Sequence, residues 1–195
     1  MSIIKYFVKI HILLFGVVFF IAIAKHLLGG SITEQSYIAH GGGNVGSSVM
    51  SESLEALNHS AKRGFKYLEL DLLLTKDSLV VAFHDWIAWH LRVRKDGKGN
   101  AVFAKEFKSF PIDSLYTPMS GDKIDSFFIA NPDIYFVTDK ISSKNILDDF
   151  LSTSVRKRTY VECFSYEDYE TIKMSGEYSP MISSFMPFNE AISNR

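Results

Sequence analysis

The chain has 195 residues, which suits one domain with a short appendage rather than two full domains. Hydrophobic residues make up 47% of it and the formal net charge is −1, so we expect neither a disordered chain nor a nucleic-acid-binding protein. The only cysteine, Cys163, excludes an intramolecular disulfide and a cysteine-based zinc site. We expect Cys163 to fill space on a buried strand.

Residues 1–30 differ sharply from the rest of the chain. Lys5 and Lys9 precede an uncharged apolar run at 12–24, and residues 6–28 together are long enough to span a bilayer. We therefore predict an N-terminal transmembrane helix that acts as a membrane anchor. The two early lysines favour a single-pass topology with residues 31–195 on the extracytoplasmic side. A cleaved signal peptide, giving a secreted or periplasmic protein, and a buried helix are the alternatives.

The remaining sequence alternates between strand and helix patterns. We predict strands at 37–40, 67–74, 79–83, 134–137, 158–164 and 180–184, and helices at 51–63, 120–129, 142–152 and 166–175, with Ser51 and Ser142 as N-caps. Residues 86–110 are predicted to form an irregular loop, in which Trp86 and Trp89 either line a pocket or pack beneath the loop. The alternation predicts an α/β fold with a mainly parallel sheet.

The strand at 67–74 carries two carboxylates inside an apolar run. Glu69 and Asp71 face the same way because strand side chains alternate with a period of two. Buried side by side they would repel each other, so a divalent metal between them is one interpretation, and a polar face turned to water is the other. The turn at 75–78 is too short for a crossover, so residues 79–83 should double back as a hairpin. This hairpin would return His84 to the level of the two carboxylates.

Further polar residues stand where other predicted strands end. His40 follows the first strand, His84 and Asp85 follow the hairpin, and Asp139 and Lys140 follow the next strand. Ligands of α/β barrels and open parallel sheets bind at the carboxyl ends of the strands. Each residue alone has an ordinary structural explanation, but their recurrence at successive strand ends predicts one shared site.

Four sequence blocks resemble the glycerophosphodiester phosphodiesterase family of the phospholipase C-like phosphodiesterase superfamily. These blocks are Ala39-His40-Gly41-Gly42, Ser53-Leu54-Glu55-Ala56-Leu57, the run from Glu69 to Asp77, and Phe83-His84-Asp85. The resemblance implies a TIM-type barrel that hydrolyses glycerophosphodiesters to glycerol phosphate and an alcohol, with Ca²⁺ or Mg²⁺ as cofactor. It implies the following roles: acid and base for His40 and His84, metal ligands for Glu69, Asp71 and Asp139, and a phosphate contact for Lys140.

Two departures from the family bear on function. Gly41 stands where the family commonly has arginine, and Ser51 and Glu52 stand where it has glutamate and asparagine, so no role passes to Glu52. About six strands are predicted where a closed barrel has eight, so we expect residues 31–195 to form an incomplete, C-terminally truncated barrel domain.

The expected partners are a small-molecule or lipid-derived phosphodiester and, through the N-terminal helix, a membrane. One alternative is a truncated, non-catalytic, membrane-anchored member of the family. The other is an enzyme similar to phospholipase C or sphingomyelinase D, which acts on another phosphodiester.

Overall fold

A computed structural model describes residues 37–184 of the chain. The predicted anchor or signal segment at 1–30 lies outside the described residues. Within residues 37–184, no helix is both long and apolar enough to cross a membrane.

The described residues form an α/β fold around a parallel sheet. Strands β1 (Ile38–Ala39), β2 (Tyr67–Leu74), β4 (Tyr135–Asp139), β5 (Thr159–Cys163) and β6 (Ser179–Ile182) lie side by side in that order. Each neighbouring pair among them is parallel. Strand β3 (Val80–Ala82) pairs antiparallel with the end of β2, with Leu72 opposite Ala82. The predicted α/β fold with a mainly parallel sheet and the predicted hairpin are therefore both confirmed.

Helices follow most strands, and their starts differ from prediction by up to three residues. They span Leu54–Lys62, Trp86–Trp89, Ala104–Ser109, Gly121–Ala130, Lys144–Phe150, Thr153–Arg156 and Tyr166–Ser175. The first helix begins later than predicted because Ser53, not Ser51, is its N-cap and accepts a hydrogen bond from the Ala56 N–H. Ser142 caps no helix: the next helix begins after Ser143, and the Ser142 hydroxyl donates to Asp168.

One face of the sheet is buried beneath these helices. Leu68, Leu70 and Leu72 of β2 are completely buried in the main hydrophobic core, together with Leu57 and Phe128 from two helices. Since successive side chains of β2 point to alternate faces of the sheet, Glu69 and Asp71 must lie on the opposite face. Buried Cys163 on β5 belongs to the same core, so its predicted packing role is confirmed.

Three tyrosines lie on the carboxylate face, nearer the beginning of the strands. Tyr67 stands two residues before Glu69 and pairs with Tyr135 of the neighbouring strand. Their rings stack at 5.1 Å between centroids, and the Tyr160 ring meets Tyr67 edge-on at 5.8 Å. These rings form an aromatic layer below the carboxylates.

The segment 86–110 is more ordered than predicted. It contains the helix Trp86–Trp89, a π-helical turn at His90–Arg94 and the helix Ala104–Ser109. Trp89 is completely buried and stacks on Phe107 at 5.9 Å, within a small second core that includes Val81 and Phe83 of the hairpin. The tryptophan thus packs beneath the segment, and the prediction of a purely irregular loop was wrong.

Candidate active site

The three predicted metal ligands come together at the carboxyl ends of β2 and β4. Strand pairing sets Asp71 directly opposite Asp139, and Glu69 projects from the same face of β2. Each residue offers one oxygen, and these oxygens lie within 4.8 Å of one another. Glu69 is 4% exposed and Asp71 only 1%, so two of the three carboxylates are largely removed from water.

The hydrogen bonds of these carboxylates leave several oxygens unpartnered. Glu69 Oε2 accepts a hydrogen bond from the Gly41 N–H at 2.6 Å, whereas Oε1 accepts none. Neither oxygen of Asp71 accepts a hydrogen bond, although Oδ1 lies 3.3 Å from Lys140 Nζ as an ion pair. Leaving such buried groups unsatisfied costs about 1–3 kcal/mol each. A hard divalent cation, which prefers oxygen ligands, fits this donor set.

Burial and mutual repulsion raise the pKa values of this cluster. Burial raises the pKa of Glu69 to about 7, and the charges of Asp71 and Asp139 add to the effect. The Gly41 N–H and His40 act in the opposite direction. Burial, followed by the neighbouring Asp71 carboxylate, raises the pKa of Asp139 to about 6. Protons and a bound cation would therefore compete for these carboxylates.

Glu52 is a fourth buried carboxyl beside this cluster. It is 1% exposed, its Oε2 accepts a hydrogen bond from the Asp71 N–H at 3.3 Å, and its Oε1 has no hydrogen-bond partner. Burial, and then the charges of Glu69 and Asp71, raise its pKa well above the ordinary value. Glu52 thus links the loop before the first helix to strand β2.

His40 and Gly41 form a short 3₁₀ turn over the cluster. His40 Nδ1 lies 2.7 Å from Glu69 Oε2, and 57% of the imidazole side chain is exposed. Gly41 has φ of +57°, and a Cβ placed there would lie 2.7 Å from Met50 Cβ and 3.0 Å from Glu52 Oε1. Glycine is therefore required by both backbone conformation and space.

His84 reaches the same end of the sheet through the hairpin. The Phe83 N–H donates to the Asp71 carbonyl at 3.0 Å, which sets the next residue, His84, beside the cluster. The His84 side chain is also 57% exposed, and its Nδ1 lies 2.6 Å from Asp85 Oδ2. Lys140 has φ of +68° and donates through Nζ to the His84 carbonyl.

The six residues predicted for the site are thus connected. His40 contacts Glu69, and Lys140 contacts both Asp71 and the His84 backbone, while Asp139 completes the carboxylate group. Their catalytic roles stay predictions.

One further residue, Glu52, was missed as a contributor to the site. Glu52 was placed in the first turn of a helix, where a carboxylate normally meets water. Met50 and Glu52 instead have φ of +50° and +52°, so the chain turns inward, and no sequence pattern indicates this. Asp85 was placed at the shared site but received no role of its own. The segment that follows it was predicted to be an irregular loop, so the helix that it caps was not expected.

A known family model matches most of the chain. Residues 43–189 match the model of the Glycerophosphoryl diester phosphodiesterase family. A search of curated protein sequences finds no match.

Several solved structures share the fold. A glycerophosphodiester phosphodiesterase from Parabacteroides distasonis is 16% identical with a TM-score of 0.55, over 74% of this chain and 63% of that one. A glycerophosphoryl diester phosphodiesterase domain from Mycobacterium tuberculosis is 13% identical with a TM-score of 0.55, over 81% and 65%. An Oleispira antarctica phosphodiesterase, solved with the product sn-glycerol-3-phosphate, is 17% identical with a TM-score of 0.52, over 76% and 68%.

The family model covers well over half of the chain. The match begins at the glycine turn and continues past the last described strand. The chain spans 63% of the Parabacteroides protein, so the match does not extend over that protein's whole length. The chain belongs to the glycerophosphoryl diester phosphodiesterase family.

Proposed function

We propose that this protein hydrolyses glycerophosphodiesters to glycerol phosphate and an alcohol, with a divalent cation, Ca²⁺ or Mg²⁺, held by Glu69, Asp71 and Asp139. The observation that carries the proposal is the set of unpartnered, buried carboxylate oxygens beside two exposed histidines. The related Oleispira enzyme, which holds sn-glycerol-3-phosphate, supports the same product here.

The proposed chemistry divides the proton transfers between the two histidines. One of them, His40 or His84, takes a proton from water as the water oxygen attacks phosphorus. The other gives a proton to the alcohol oxygen as its bond to phosphorus breaks, since imidazole exchanges protons near neutral pH. Lys140 balances negative charge beside Asp71 and the substrate phosphate. A bound divalent cation would polarise a phosphoryl oxygen.

The experiment measures release of glycerol phosphate by the purified full-length chain. Substrates are glycerophosphocholine, glycerophosphoethanolamine and glycerophosphoglycerol, each with Ca²⁺, Mg²⁺ or Mn²⁺. We expect metal-dependent turnover that falls by about 10²-fold or more in His40→Gln and in His84→Gln. His59→Gln is the matched control, because His59 lies exposed on the helix Leu54–Lys62, outside the site. Folded protein without turnover on any diester would overturn the proposal in favour of a non-catalytic family member.

A second substrate class is favoured by one observation. Gly41 stands where the family commonly has arginine, and the space beside it is filled by Met50 and Glu52. The site therefore lacks one cation that would meet the phosphate, which supports a different diester. Including lysophosphatidylcholine and sphingomyelin among the substrates tests this alternative, because a phospholipase C- or sphingomyelinase D-like enzyme would cleave these and leave the glycerophosphodiesters intact.

We also propose that residues 1–30 anchor the protein in a membrane, with the enzymatic domain on the extracytoplasmic side. The proposal rests on the length and apolar character of the segment at 6–28. The full-length chain should stay with the membrane fraction after an alkaline carbonate wash, whereas a chain without residues 1–30 should not. A full-length chain found in the wash, or one shortened at its N-terminus by a signal peptidase, would contradict anchoring.

A further inference from the structure

Asp85 uses its two carboxylate oxygens in two different directions. Oδ1 accepts a hydrogen bond from the Ala88 N–H at 2.6 Å, which makes Asp85 the N-cap of the helix Trp86–Trp89. Oδ2 lies 2.6 Å from His84 Nδ1. One side chain therefore joins the first turn of a helix to a histidine of the candidate active site.

The N-cap hydrogen bond fixes how the Asp85 carboxylate can hydrogen-bond to His84. A backbone N–H only donates, so Oδ1 is held in place as its acceptor, and the carboxylate cannot rotate away without losing the cap. The hydrogen bonds of Asp85 lower its pKa, chiefly the one from the Ala88 N–H. An ionised carboxylate only accepts, so His84 Nδ1 must carry the hydrogen in this pair. The Nε2 atom then remains available for proton transfer.

The backbone of His84 is held from two sides. The preceding residue, Phe83, donates its N–H to the Asp71 carbonyl, and Lys140 donates through Nζ to the His84 carbonyl. The imidazole itself is more than half exposed, so packing alone does not fix its ring. The hydrogen bond to Asp85 is the contact that sets the ring's orientation.

The two histidines differ in the kind of partner they have. His40 Nδ1 pairs with Glu69, a predicted metal ligand, whereas the partner of His84 lies outside the carboxylate cluster. The orientation of His84 therefore does not depend on whether Glu69 is engaged with a cation.

We propose that Asp85 is a positioning residue for His84: its cap-anchored carboxylate holds the imidazole as the Nδ1–H tautomer and presents Nε2 to the reacting phosphodiester. The inference rests on the proposed function for the identity of the reaction. The hydrogen-bond geometry stands independently of it.

The decisive variant is Asp85→Asn. Asparagine is as good an N-cap as aspartate, so its amide oxygen should stay with the Ala88 N–H and the helix should be retained. The amide NH₂ then faces His84 Nδ1 and forces that nitrogen to accept, which moves the ring hydrogen to Nε2. The corresponding change in a Ser-His-Asp triad lowers kcat by about 10⁴-fold through the wrong tautomer. Asp85→Ser is the matched control, because serine caps the helix without supplying a partner for His84.

The first readout is kinetic. For Asp85→Asn we expect kcat lower by about 10²–10⁴-fold, KM changed by less than about threefold, and an unchanged melting temperature. Asp85→Ser should lose less, since it frees the ring without imposing the wrong tautomer. Turnover of Asp85→Asn within about twofold of wild type would overturn the proposal.

The second readout does not require activity. ¹⁵N NMR of histidine-labelled protein, recorded where the rings are neutral, distinguishes the two tautomers, and His84→Gln identifies the His84 signals by their absence. We expect the Nδ1–H form in wild type, with and without added Ca²⁺, and the Nε2–H form in Asp85→Asn.

The two readouts separate the proposals. Wild-type protein that is folded but inactive overturns the proposed function, while the NMR pattern above still supports positioning by Asp85. An Nε2–H tautomer in wild type, or the same tautomer in wild type and Asp85→Asn, overturns positioning even if the enzyme is active.

Discussion

The carboxylate cluster predicts metal binding that is strongly linked to pH. The pKa values of Glu69 and Asp139 are raised to about 7 and about 6, so both groups must release protons before they bind a cation. At a pH below these pKa values, protons compete with the metal for the carboxylates, and at a pH above them they do not. Affinity for Ca²⁺ or Mg²⁺ should therefore rise between pH 6 and pH 8.

The magnitude follows from the same two values. Taken singly, Glu69 with a pKa of about 7 would weaken binding roughly tenfold at pH 6, and Asp139 with a pKa of about 6 would weaken it roughly twofold, while neither has much effect at pH 8. The dissociation constant should therefore be at least about tenfold larger at pH 6 than at pH 8, which corresponds to about 1.4 kcal/mol. Binding at pH 6 should also release about one proton per ion, against almost none at pH 8.

Isothermal titration calorimetry measures both quantities. Titrations at each pH give the affinity, and buffers with different ionisation enthalpies give the number of protons released. Glu69→Gln is the control: it should bind more weakly at both pH values, with a smaller ratio between the two affinities than in the wild type, because one carboxyl that binds a proton near neutral pH has been removed. Equal wild-type affinity at pH 6 and pH 8, without proton release, would refute the reasoning.

Three further substitutions test the surroundings of the site. Gly41→Ala should lower the free energy of unfolding in urea by more than ~2 kcal/mol, because the strain of a positive φ and the clash of the new Cβ with Met50 add together. Gly97→Ala should lower it by only ~1 kcal/mol, since Gly97 has a positive φ but open space around it, and equal losses would contradict this reasoning. Glu52→Gln should stabilise the metal-free protein by ~1–3 kcal/mol near pH 8 but little near pH 4, because a carboxyl whose pKa is raised in the folded state lowers the stability of the protein as the pH rises. Thermal melts in which the gain in stability does not grow with pH would count against this prediction. Trp89→Ala should cost ~3–5 kcal/mol because Trp89 is completely buried in the small second core, and a loss below ~1 kcal/mol in urea unfolding would show that this core contributes little.

The parts of the site that follow strand periodicity could be predicted from the sequence. Alternation alone put Glu69 and Asp71 on one face, and the short turn after β2 required a hairpin that returns His84 toward them. The parallel sheet then brought Asp139 opposite Asp71, since strand ends of such a sheet meet at one edge.

Features set by tertiary contacts could not be predicted in this way. The burial of Glu52 depends on two non-glycine residues with positive φ, a conformation that costs energy locally and is stabilised by contacts from distant segments. The segment 86–110 looked irregular because Lys95 to Asn100 is rich in turn formers. Its helices are stabilised instead by packing of Trp89 against Phe107, a contact across the whole segment.

The aromatic layer of Tyr67, Tyr135 and Tyr160 allows cation binding at the carboxylate cluster to be followed by luminescence. Tyr67 stands two residues before Glu69 on one strand, so its ring lies about 7 Å along the strand from the carboxylate. Terbium, a hard cation that takes oxygen ligands as calcium does, emits when a nearby phenol ring absorbs ultraviolet light and transfers the energy. Green emission on excitation of the tyrosines would report occupancy of this end of the sheet, and its decay on addition of Ca²⁺ would give relative affinities without any substrate.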